Sequence, residues 1–252
     1  MKLKISLCLL VFVIAVPYLW AADTDDIEKQ TILANRFAQF KQESGFRGVY
    51  KSDASQTRIQ QIVGNFQDTA FTAEMDDAQL ALLSEDILRR VKPIIQVQGN
   101  LILADVVKRF PGLLRVFYQQ VVNGYQVKSG VYVRIDFYPG RKYFDLYNDT
   151  WGFDITPVDT VLTRDQAIAI YRELQQKHEP KLSDAAEPQT DLAYYLIDWG
   201  SNMGIQLSWM ISGAHNACLI NAVTGKVRMY YGYQMKKTPP RHIWGLLSDW
   251  QW

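Results

Sequence analysis

Side chains able to do enzymatic chemistry are thinly spread along this chain. Its three histidines are His178, His215 and His242, and no two stand four residues apart, the spacing that puts paired zinc ligands on one helical face. No HExxH site can be written, and no metal is expected. A serine hydrolase needs its nucleophile on a strained G-x-S-x-G elbow, and no such stretch occurs. Asn202-Met203-Gly204 and Ser212-Gly213 read as turns. Cys218 and His215 lie three apart in a strand-like run, where such positions point to opposite faces. Cys218, beside Ala217, Leu219 and Ile220, reads as a buried, inert thiol. There is no GxGxxG and no Walker loop, so no nucleotide cofactor is expected. The carboxylates of Asp76-Asp77 and Glu85-Asp86 read as helix caps or solvated groups. Carboxylate pairs of the glycosidase type come from distant positions, and spacing alone leaves them open. No catalytic constellation and no cofactor site can be written down from these residues, and an enzyme with a dispersed site stays open.

Aromatic residues are the feature that binding chemistry could use. Tyr132, Arg134 and Tyr138 alternate along one segment, and Tyr143, Asp145 and Tyr147 along the next. A half-exposed sheet stabilised by cross-strand aromatic pairs is one reading. The other is a sheet face that grips an extended peptide or a partner surface, since tyrosine is favoured in interface cores. Trp244, Trp250 and Trp252 near the C-terminus either fold back onto the body or dock on a partner or lipid interface.

The elements that must position these residues follow from periodicity. Leu33, Phe37 and Phe40 lie on one face of a helix expected over residues 25–42. Strands are expected at Val49-Tyr50 and over residues 57–66. Leu80, Leu83, Ile87 and Val91 repeat at helical spacing, with Asp76 as cap and Pro93 as stop. A shorter helix is expected over residues 100–110, ended by Pro111-Gly112. Val131, Val133, Ile135 and Phe137 then alternate with Tyr132, Arg134, Asp136 and Tyr138, the period of a half-buried strand. Asn123-Gly124 supplies the positive φ angles of a type I′ hairpin turn. Pro139-Gly140 predicts a type II turn before a strand over residues 141–147. Thr163 and Gln166 form a capping box at the start of a helix that buries Ala167, Ile170, Tyr171 and Leu174. A polar loop with two prolines spans residues 176–191, and strands follow at 192–199, 205–211, 217–222 and 226–231, the last two joined at Thr224-Gly225.

Composition narrows the class further. The chain has 252 residues, 48% of them hydrophobic, and a net charge of +1, so no global field points to nucleic acid or an anionic membrane surface. Its start has basic Lys2 and Lys4, an apolar stretch from Ile5 to Val16, and small Ala21 and Ala22. That is the layout of a secretory signal peptide over residues 1–21, and the apolar stretch is short for a membrane span. A secreted or periplasmic location is expected, with an uncleaved anchor as the other reading. Cys8 lies inside this segment, so the exported chain keeps Cys218 alone and no disulfide framework.

One stretch carries more than periodicity requires. Phe117-Tyr118-Gln119-Gln120-Val121-Val122-Asn123-Gly124-Tyr125-Gln126-Val127 resembles the signature of the FTP domain, the fungalysin/thermolysin propeptide module. Further on, the helix starting at Leu162-Thr163 and the run Ile220-Asn221-Ala222-Val223-Thr224-Gly225-Lys226-Val227 resemble a PepSY-type unit. The resemblance implies an FTP-like domain over 45–156 and a PepSY-like domain over 157–235, which leaves the N-terminal helix over residues 22–44 and a Trp-rich tail over 236–252 on either side. It implies an α+β fold of antiparallel sheets, each packed by helices on one face. In thermolysin-type precursors a zinc peptidase follows these modules. This sequence contains no HExxH, and it looks like a propeptide region without its enzyme. The implied role is to bind, and inhibit or chaperone, a secreted or periplasmic peptidase, with Tyr132, Arg134, Tyr138, Tyr143 and Tyr147 as candidate contacts. An envelope-associated module for a lipid, peptide or cell-wall ligand, or a subunit of an envelope complex, stays open as the alternative.

Overall fold

The computed structural model describes residues 27–55, 57–110, 112–128, 130–152, 155–158, 161–180, 187–198, 203–214 and 216–231. The expected signal peptide, the Trp-rich tail, His215 and His242 lie outside them. Two compact units divide the chain, one from Met1–Gln96, Asp105–Phe117 and Arg134–Asn148, the other from Val97–Ala104, Tyr118–Val133 and Asp149–Trp252.

The first unit opens with helix α1 (residues 27–44), whose Leu33, Phe37 and Phe40 are buried as their spacing requires. Strands β1 (Phe46–Ser52) and β2 (Ile59–Phe66) pair antiparallel, with Gly48 opposite Gly64 and Val49 opposite Val63. The ring of Phe46 lies over both glycines: a Cβ on Gly48 would stand 2.7 Å from it and 2.2 Å from the carbonyl oxygen of Val63. Phe37 and Phe40 meet Phe46 at ring-centroid distances of 6.0 and 5.6 Å, and Phe66 stacks edge-on to Phe46 at 5.2 Å. Helix α2 (Asp77–Ile95) starts at the expected capping box, Asp76 with Gln79. Pro93 does not stop it. The helix runs through that residue and ends at Gln96 in the left-handed conformation (φ 53°). Proline loses only one helical hydrogen bond there, and Ile94 and Ile95 gain burial by staying helical.

Residues 100–110 correct a second expectation. They form strand β3 (Asn100–Phe110), not a helix. The run Leu101-Ile102-Leu103 with Val106-Val107 has neither clean period, and its branched side chains favour the extended chain. β3 pairs with β4 (Leu113–Val122), where Leu114, Val116, Tyr118, Gln120 and Val122 alternate inward. Asn123 (φ 53°) and Gly124 (φ 83°) make the turn to β5 (Tyr125–Lys128), as the type I′ reading requires. β6 (Tyr132–Tyr138) buries Val133, Ile135 and Phe137. The step to β7 (Tyr143–Asn148) is not a type II turn. Pro139–Arg141 form one 3-10 turn, and Lys142, not Gly140, takes the positive φ, at 55°.

In the second unit helix α3 (Arg164–His178) begins at the Thr163–Gln166 capping box. Its Ala167, Ile168 and Tyr171 pack with Ile211, Cys218 and Ile220. β8 (Gln189–Asp198), β9 (Met203–Ser212), β10 (Ala217–Asn221) and β11 (Val227–Tyr231) pair antiparallel in sequence.

The sheet order overturns the expected pair of antiparallel sheets. The strands form one mixed eleven-stranded sheet in the order β1-β2-β7-β6-β4-β5-β8-β9-β10-β11, with β3 on β4. What joins it is β5, which pairs antiparallel with β4 and parallel with β8, Val127 opposite Tyr194 and Lys128 opposite Tyr195. Four residues suffice because Val127 is fully buried beside Tyr194, Leu207 and Val131.

Candidate functional site

Strand alternation sorts the first unit's sheet into two faces. One carries the apolar core and the other the expected tyrosines. Register places Val63 opposite Asp145 and Gln61 opposite Tyr147 across β2 and β7, and Arg47, Val49 and Lys51 opposite Asn65, Val63 and Gln61 across β1 and β2. Arg134, Tyr138, Tyr143 and Tyr147 therefore share this face with part of β1. The rings of Tyr138 and Tyr143 stand 5.0 Å apart, and the Arg134 guanidinium lies 3.9 Å above the Tyr147 ring. Such stacking holds an arginine flat at low entropic cost. Tyr132, the fifth expected contact, belongs to the second unit.

The sequence reading missed what lies beneath these rings. Asp136, expected on a solvated face, is 2% exposed. Arg115 grips it in bidentate fashion, Nε to Oδ1 at 2.6 Å and Nη2 to Oδ2 at 2.8 Å, while Arg134 Nε stands 3.3 Å from Oδ2. Asp145 is also buried, and its two oxygens accept from Gln61 Nε2 at 2.8 and 3.0 Å. A carboxylate survives in such a place because charged or amide donors replace its lost water. Burial, followed by the negative charge of Asp136 and Asp145, holds the Tyr138 hydroxyl above its usual titration range. Burial and then the bond to Asp145 do the same for Tyr147. Tyr138 and Tyr147 are thus held as neutral hydrogen-bonding hydroxyls. The signal for the carboxylates was in the sequence: Asp136 and Asp145 share the parity of the tyrosines, but parity cannot show that Arg115, on another strand, would reach one of them.

The motif residues have a different part. Gln119 Nε2 donates to the carbonyls of Val127 and Val131, the latter at 2.8 Å, and so brackets the bend between β5 and β6. Gln120 is fully buried. Its Nε2 donates to Gln98 O at 2.9 Å and Trp151 O at 3.1 Å, and its Oε1 accepts from Trp151 N at 2.8 Å. Asn123 Nδ2 reaches the Tyr194 hydroxyl at 3.3 Å. Gly225 turns the chain at φ 70°, and Asn221 Oδ1 accepts from the backbone N–H and hydroxyl of Thr224 at 2.6 and 2.9 Å. Gln119, Gln120, Asn123, Gly124, Thr224 and Gly225 are scaffold.

Other polar clusters are self-contained. Asn216 binds the Tyr171 hydroxyl, Glu179 at 2.8 Å and the Tyr230 hydroxyl at 3.1 Å; burial, then the nearby Glu179, pushes Tyr230 up to about 12. Burial alone pushes the Cys218 thiol up to about 12, which agrees with an inert side chain. Among the described residues no three His, Cys, Asp or Glu side chains stand together as a metal-ligand set. An open groove of about 430 Å³ separates α1 from α2, lined by Arg36, Phe40, Glu43, Arg90 and Ile94 among others.

No protein-family model matches the chain, so the propeptide resemblance rests on the residues quoted for it. No curated protein matches it either. Among solved structures it is similar to the Bacillus megaterium YpeB C-terminal domain, at 11% identity, over 81% of this chain and 97% of that one, with a TM-score of 0.39.

Proposed function

We propose that this chain is an exported, non-catalytic binding protein that docks on a peptidase of its own compartment and holds it inactive or assists its folding. The observation that carries the reading is the first unit's aromatic sheet face. There Arg134, Tyr138, Tyr143 and Tyr147 are half-buried, held by stacking, and set over carboxylates already satisfied from within. A rigid surface rich in tyrosine and arginine loses little entropy on docking, as the anchors of protein interfaces require. The resemblance of residues 117–127 to a propeptide signature supplies the class of partner.

Incubating the purified chain with the secreted and periplasmic fraction of its host, and with a panel of metallopeptidases, tests this. A captured or inhibited peptidase, released by Arg134→Ala with Tyr138→Ala, is the expected result. Recovery of no peptidase and no inhibition across the panel would overturn it.

A further inference from the structure

Strand β1 ends the sheet order, and among the described residues no strand pairs with its outer edge. An open edge offers unpaired backbone N–H and C=O groups to any extended chain. Here the edge has a charge pattern. Arg47, Val49 and Lys51 alternate on the face shared with the tyrosines, and all three are exposed, Val49 by 65%. The alternate residues Phe46, Gly48 and Tyr50 turn toward α1, where Tyr50 meets Phe37 at 4.7 Å. The face's carboxylates, Asp136 and Asp145, are buried beneath side chains, and the exposed charges on β1 itself, Arg47 and Lys51, are both cationic.

This pattern selects among occupants. In the antiparallel register centred on Val49, a second copy would set Arg47 against the partner strand's Lys51 twice, and like charges directly opposite repel. A basic strand is refused for the same reason. We infer that β1 is the docking edge for an extended acidic segment, added as a further strand, with two carboxylate side chains four residues apart opposite Arg47 and Lys51 and an apolar one between them opposite Val49. Main-chain hydrogen bonds supply affinity in such strand addition, and alternate side chains supply specificity. The inference deepens the proposed reading by naming the chemistry of the partner segment.

The test is fluorescence anisotropy of the full chain with a labelled heptapeptide carrying glutamate at its second and sixth positions and valine at its fourth. Glutamine and lysine counterparts, an N-methylated version and a single-stranded DNA oligomer serve as comparisons. The glutamate peptide is expected to bind at least about tenfold more tightly than the others, with affinity falling as salt rises. Reversing both charges, Arg47→Glu with Lys51→Glu, is expected to exchange the preference to the lysine peptide, a gain that an unfolded variant could not show. Equal binding of all peptides, undiminished binding of the N-methylated one, tighter binding of DNA, or no exchange in the reversed variant would each overturn the inference. Capture of a peptidase by that reversed variant at full strength would overturn it while leaving the proposed function standing.

Discussion

Replacing Gln120 tests whether the motif that suggests a family acts through the scaffold. The Gln120→Leu variant keeps the side-chain volume and removes two donated hydrogen bonds and one accepted one. Each neutral bond contributes about 1 kcal/mol net, and each orphaned buried group costs about 1–3 kcal/mol. Gln98 and Trp151 are only half-buried, so water recovers part of that, and the expected loss is about 3 kcal/mol. For a domain of this size that lowers the midpoint of thermal unfolding by roughly 6–12 °C. Gln120→Glu sharpens the test. Its carboxylate still accepts from Trp151 N–H, but its other oxygen faces two carbonyls where an amide had donated. Burial and those carbonyls raise the folded-state pKa above the unfolded value of about 4.3. Protonation therefore favours the folded form: the deficit against the native chain is smallest below about pH 4 and grows as pH rises through the raised pKa. Circular dichroism melts of the native chain and both variants at pH 4 and pH 8 decide the matter. Midpoints within about 1 °C of the native chain for Gln120→Leu, or a Gln120→Glu deficit that ignores pH, would refute this reasoning.

Two further outcomes are expected. Asn148 is fully buried and its Nδ2 donates to Ile59 O at 3.1 Å and Ile95 O at 2.7 Å, tying β2 and the end of α2 to β7; Asn148→Ala is expected to cost about 2–3 kcal/mol in urea unfolding. Cys218 is expected to resist iodoacetamide at pH 8 in the folded chain and to react once unfolded. Its thiol is held protonated up to about 12 against roughly 8.5 in the unfolded chain, so its contribution to stability is intact below about pH 8.5 and is lost as pH rises toward 12.

How much was legible in the sequence depended on how local each cause was. Caps act over three residues, so Asp76 with Gln79 and Thr163 with Gln166 could be read directly. Alternation placed Val133, Ile135 and Phe137 in the core, and the Asn123-Gly124 turn followed from its residue types. The sheet's continuity was not legible. It depends on Val127 and Lys128 of a four-residue strand meeting Tyr194 and Tyr195, and nothing near either pair announces the other. β3 failed for a related reason: its apolar run has neither clean period, and the pairing with β4 that fixes it as a strand lies outside the run itself. At the candidate site the tyrosines were visible and their support was not. Asp136 looks solvent-facing by parity, and the reach of Arg115 from β4, with Arg134 beside it, makes its burial affordable.

The glycine pair roofed by Phe46 has a consequence for how this edge can change over evolutionary time. A side chain at Gly48 or Gly64 would stand 2.2 Å from a backbone carbonyl of the facing strand, closer than any real contact, so drift at either position is closed whatever happens to the ring. Between and beside them Arg47, Val49 and Lys51 point outward and are exposed, the Arg47 guanidinium meeting the side-chain amide of Gln67. β1 thus interleaves frozen positions with free ones: the backbone geometry of the edge is inherited intact while its outward residues can be rewritten singly. Under the docking inferred for β1, partner preference can be retuned there without refolding the sheet.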